Sequence, residues 1–150
     1  MYNNHKVYIG IIFSIFFILS FLINIKITES AMQNFITFLS IVFGFYMTSL
    51  SVLYNSKYIK NMYQEIDPKK PTQRKITTLI QYFKHSAYLT VFTIFLLMIT
   101  SLIVNIDNNI LIINPIFQSF LISIVFSNFI FIILLFKVFI NSLIKEAKYE

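Results

Sequence analysis

Four runs of about twenty apolar residues, none containing a charge, limit what this chain can fold into: 7–25, 35–54, 87–104 and 116–136. A bilayer core is about 30 Å thick and a helix rises about 1.5 Å per residue, so about 20 apolar residues cross it. Four such runs in 150 residues leave room for no other body. The expected fold is an all-α membrane protein, a single domain over 1–150 with four transmembrane helices. Only 12% of residues are charged, against about 25% in a soluble domain, too few for a water-facing surface. His5 and Lys6 precede the first run as in a secretory signal, but the run exceeds a signal core of about 7–15 residues and no small-x-small site follows. It is read as a retained span.

Charge asymmetry gives an orientation. Lys6, the seven cations between residues 55 and 86, and Lys137, Lys145 and Lys148 make eleven on one side; Lys26 stands alone on the other. The positive-inside rule predicts both termini and the middle loop in the cytoplasm. Tyr8, Tyr54, Tyr82 and Tyr88 fall at that interface, where amphipathic rings are favoured.

Local signals place the helix ends. Ser30 and Gln33 fit a capping box that starts the second helix near Ala31. Tyr58, Ile59, Met62, Tyr63 and Ile66 carry its apolar period on to Asp67-Pro68, where proline stops it. Thr72 reads as the N-cap of the third helix, whose Ile76, Leu79, Ile80 and Phe83 share a face. The predicted result is a cytoplasmic helical hairpin over 55–86, extending helices two and three. Asp107-Asn108-Asn109 reads as an external turn, and Asn114-Pro115 as N-cap and first residue of the fourth helix.

The acids Glu29, Glu65, Asp67, Asp107, Glu146 and Glu150 sit in loops or tails, and both histidines, His5 and His85, lie near an interface. No nucleophile, acid pair or metal set can be assembled from them, so no enzyme activity, metal or cofactor is expected. Small multidrug exporters keep a glutamate in their first span; here that span holds Ser14 and Ser20, which argues against proton-coupled export.

Small and hydroxylated residues form stripes instead. Thr37, Ser40, Gly44, Thr48, Ser51 and Asn55 share one face of span two, and Ser119, Ser123 and Ser127, flanked by Gln118 and Asn128, one face of span four. Span three adds Ser86, Thr90, Thr93, Thr100, Ser101 and Asn105. Such stripes let helices approach closely, with hydrogen bonds of roughly 0.6–2 kcal/mol each. They are either seams of one bundle or, in part, contacts of a homo-oligomer that line a pore. The hairpin carries seven positive and two negative charges. These either record topology or bind anionic headgroups, an anionic ligand or an acidic cytoplasmic protein at Lys69, Lys70, Arg74 and Lys75.

The stretch Ser40-Ile41-Val42-Phe43-Gly44-Phe45-Tyr46-Met47-Thr48-Ser49-Leu50-Ser51, followed by a basic helix, resembles small multi-span effectors of bacterial anti-phage systems, such as Hailong-type channels and the Kiwa membrane subunit. The resemblance implies a homo-oligomeric pore or membrane-perturbing effector in the bacterial inner membrane, opened on infection to depolarise it. Two alternatives stay open: a non-conducting scaffold or sensor that recruits a cytoplasmic partner, and a holin-like lesion former.

Overall fold

A computed structural model describes residues 3–54, 56–68, 70–107 and 109–146. Asn55, Lys69, Asn108, Lys148 and Glu150, which entered the sequence reading, lie outside the described residues. Five helices appear: α1 (Asn3–Ile23), α2 (Glu29–Tyr54), α3 (Lys57–Gln64), α4 (Lys75–Ile103) and α5 (Pro115–Glu146). Two short hairpins join them, β1 (Ile66–Asp67) with β2 (Lys70–Arg74), and β3 (Ile106–Asp107) with β4 (Ile110–Leu111). Four helices are long and apolar enough to cross a membrane, within α1, α2, α4 and α5. The chain is therefore a multi-pass membrane protein.

The helices do not pack in sequence order. α5 is central: α1 lies against it, α4 packs on another side, and α2 pairs mainly with α4. Exposed Val7, Ile11, Ile15, Ile18 and Leu22 leave most of α1 facing outward, which lipid permits because it is as apolar as the side chains themselves.

The end where α1 gives way to α2 is closed by backbone pairing. Asn24 adopts a left-handed φ of 51°, a conformation asparagine tolerates better than most residues. There Asn24 N–H donates to the Phe21 carbonyl and Ile25 N–H to the Ser20 carbonyl, each at 3.3 Å, a Schellman ending of α1. The chain then runs beside β4: Thr28 bridges Ile110, and Leu111 N–H donates to the Ile27 carbonyl at 3.1 Å. Asn109, at φ 62°, turns the β3–β4 hairpin where an external turn was expected. Asn114 caps α5 as predicted, its side chain accepting from Ile116 N–H at 2.9 Å, with Pro115 as first helical residue.

Several local expectations are corrected. The second helix begins at Glu29, not Ala31, and its cap is Thr28, whose hydroxyl accepts from Ala31 N–H at 3.2 Å. Gln33 reaches back to the Glu29 carboxylate rather than to a capping box with Ser30. The continuous helix through 55–66 is broken, because the Ser56 hydroxyl accepts from Ile59 N–H at 3.2 Å and donates to the Leu53 carbonyl at 2.9 Å. That single side chain ends one helix and caps the next.

The turn before the third long helix is a β-hairpin, so Thr72 lies in β2 and not at an N-cap. α4 starts at Lys75, with Arg74 at the cap position making no side-chain bond. Asp67 supplies the anchoring there. It is fully buried and accepts from the Thr78 hydroxyl at 2.7 Å, placing an acid at the first turn of α4 where the helix dipole favours it. Lys75 pairs with Glu65 through both its backbone and its ammonium.

Ile76, Leu79 and Phe83 are buried as expected, while Ile80 is exposed. Tyr82 is also buried, its hydroxyl 2.6 Å from His5 Nδ1 on α1.

The two candidate caps of α2 separate cleanly by substitution. Thr28→Ala should lower unfolding stability in micelles by about 1 kcal/mol. Ser30→Ala should change it by less than about 0.5 kcal/mol. Denaturant titration followed by circular dichroism reads both.

Candidate functional site

The buried apolar residues fall into two clusters. One gathers Val42, Tyr46, Leu53, Ile59, Leu79 and Phe83 with Phe131 and Leu135 toward the α3 end. The other gathers Met32, Leu39, Leu97, Leu111, Leu121 and Val125 toward the opposite end. A polar layer separates them.

Asn128, fully buried at the middle of the span Pro115–Asn141, makes the centre of that layer. Its amide donates to the Thr93 hydroxyl at 3.0 Å and to the Ile124 carbonyl at 2.9 Å, and its oxygen accepts from the Thr90 hydroxyl at 2.8 Å. Thr90 shares its one proton with the Ser86 carbonyl, also at 2.8 Å. Tyr46 approaches Thr90 from α2 and is almost fully buried. Side-chain hydrogen bonds thus join α4 to α5 in mid-membrane, and the buried Tyr46 hydroxyl of α2 has no hydrogen-bond partner among the described residues. The signal was in the sequence, since an amide in the middle of an apolar run is costly unless answered, but Asn128 was read there only as a flank of the serine stripe.

The stripes have different fates. Ser119, Ser123 and Ser127 are all buried within the protomer, and Ser123 and Ser127 bond the carbonyls four residues back at 2.6 and 2.9 Å. Ser86, Thr90, Thr93 and Thr100 of α4 are buried too, so these stripes are seams of the bundle. Thr37, Ser40, Gly44, Thr48 and Ser51 of α2 are exposed, on the face turned away from the other helices.

That outward face is the candidate functional site. A Cβ placed on Gly44 would meet no atom within 4 Å. The Ser40 hydroxyl donates to the Ile36 carbonyl at 2.8 Å, and that of Thr48 lies 3.1 Å from the Gly44 and Phe45 carbonyls. Their protons are spent on their own helix. What the face offers outward is therefore a small-residue track on which the Ser40 and Thr48 hydroxyls keep lone pairs available.

The basic segment is less uniform than its composition. Lys75 is engaged by Glu65, Lys70 is half-buried in β2, and Arg74 is exposed. None of these three cations lines the cleft between α2, α3 and α4, whose lining is apolar and aromatic apart from Lys84. Among the described residues no group of three His, Cys, Asp or Glu side chains could hold a metal ion. No protein-family model, curated protein or solved structure matches the chain.

Asn128→Leu should cost about 1–2 kcal/mol of stability, the upper range for a hydrogen bond in a membrane bundle. A double-mutant cycle with Thr93→Val should give a coupling of about 0.6 kcal/mol. Strictly additive losses would mean the two side chains do not interact.

Proposed function

We propose that this chain is a homo-oligomeric pore or membrane-perturbing effector of the bacterial inner membrane, acting in anti-phage defence, with both termini and α3 on the cytoplasmic side. The exposed small-residue face of α2 carries the proposal. Two of the three intramembrane stripes are used up inside the protomer, and the third is presented to whatever lies beside the helix. Small-xxx-small faces bring helices to close contact in lipid, and the occupant best matched to such a face is the same face on another copy.

In a ring of copies, Thr37, Ser40, Gly44, Thr48 and Ser51 border the axis. The Ser40 and Thr48 oxygens, whose protons already point at their own backbone, offer acceptors to passing cations and waters. No charged residue lies along this track between Glu29 and Lys57, so discrimination among ions is poor. The resemblance to anti-phage effectors supplies the biological setting. The basic segment around Lys70 and Arg74, extended by Lys69 and by the Glu65-bound Lys75, is where a cytoplasmic trigger or acidic partner would act.

A second reading draws on the same hydroxyls. Since Ser40 and Thr48 are satisfied within α2, the face packs as well without a lumen. The assembly is then a non-conducting scaffold that recruits a partner through the basic segment.

The chain has no cysteine, so Ser40→Cys gives a single cross-linking site. The expected outcome is copy-to-copy cross-links in native membranes, lost when Gly44→Leu is added. Proteoliposomes of the wild type should dissipate an imposed potassium gradient, and those of Gly44→Leu should not. Cross-links without ion flux select the scaffold. Solitary chains with no flux overturn both readings.

A further inference from the structure

A cleft of about 380 Å³ opens between the second half of α2, α3 and the first turns of α4. Tyr46 and Ala87 lie at its inner end, Leu50 lines the α2 side, Ile59 and Tyr63 the α3 side, and Phe83 the α4 side. Among the described residues of its lining, Lys84 alone carries a charge. Lys84 is exposed, with its ammonium 5.7 Å from the centre of the Tyr88 ring.

The depth of the cleft identifies its surroundings. The apolar run of α4 begins at Ala87, three residues beyond Lys84, so the inner end lies at hydrocarbon level and the mouth at headgroup level. From Ile76 to Ala87 the α4 wall extends about 16 Å along the helix. Water has no polar partners against such walls and leaves them dry. An acyl chain meets the inner part on its own terms. Tyr54 and Tyr63 in the lining, and Tyr88 beside Lys84, set amphipathic rings where headgroups lie.

We infer that this cleft is a binding site for an anionic glycerophospholipid, with one acyl chain between α2, α3 and α4 and its phosphate at Lys84. Charge decides against a second copy of the chain as occupant. A copy docked here brings the same segment, seven cations to two acids over residues 55–86, against Lys84, whereas a phosphate complements it. Because α3 forms one wall, occupancy ties this short helix to α2 and α4 across the break at Ser56. The site requires only that the chain sit in a bilayer, and it stands or falls independently of self-assembly.

Native mass spectrometry of the full chain in detergent, titrated with dioleoyl phosphatidylglycerol or dioleoyl phosphatidylcholine, tests this. One phosphatidylglycerol should bind in preference to phosphatidylcholine. Lys84→Gln should weaken phosphatidylglycerol binding about fivefold, leaving phosphatidylcholine unchanged. Lys26→Gln, at the other end of the molecule, should alter neither.

Ala87→Phe, which fills the inner end, should remove both lipids. Should that variant misfold, the exposed Lys84 substitution decides alone. Equal binding of the two lipids by the wild type, or undiminished phosphatidylglycerol binding by Lys84→Gln, overturns the assignment.

Discussion

Polar groups inside a bilayer must be answered by the protein itself, and in this chain that requirement is met at Asn128. Asn128 accepts from the Thr90 hydroxyl and donates to that of Thr93, joining α5 to α4, with Tyr46 of α2 alongside. Apolar contact cannot specify which helices associate in lipid, because a leucine facing lipid is as well placed as one facing leucine. A buried amide breaks that degeneracy. Any arrangement that separates α4 from α5 strands it in hydrocarbon, at several kcal/mol. The polar layer therefore selects the packing, and the apolar clusters on either side fill in around it.

The same reasoning explains why chemically similar stripes serve different ends. Serines of α5 and threonines of α4 pack inward, where short side chains let α5 occupy the centre of the bundle. α2 pairs with α4 through Leu39, Val42, Tyr46 and Leu53, which places its small residues on the opposite side. Back-bonding of Ser40 and Thr48 to their own helix makes this outward face tolerable in lipid. Smallness, not unmet hydrogen bonding, is what remains for another helix to recognise.

Span number and position were legible because length and hydropathy are local properties, and the Asn114-Pro115 start of α5 because a cap is written in adjacent residues. The face each stripe turns was not legible. In a soluble helix the apolar side marks the core, but here every side is apolar, so period 3.6 shows which residues share a face without showing where it points. The break at Ser56 was hidden for another reason. Its flanking residues keep a helical apolar period, and only the serine's two hydrogen bonds, one to Leu53 and one from Ile59, convert a neutral helix position into a stop and a start. The Asp67–Thr78 bond depends on a contact between residues eleven apart, beyond the reach of turn chemistry alone.

The two ends of the bundle differ in how they are closed. At one, residues 27–29 pair with residues 109–111 by backbone hydrogen bonds, and Gln118 of α5 binds the Ile25 carbonyl. At the other, α3 is an eight-residue helix attached through Ser56 and a two-stranded hairpin, with an open apolar cleft beneath it. Eight residues are too few for a helix to be stable by itself, so the packing of Ile59 and Met62 keeps α3 in place. A ligand that fills the cleft acts on that packing directly. The cleft wall formed by Tyr46 and Leu50 belongs to the same helix, α2, that carries the exposed small-residue face.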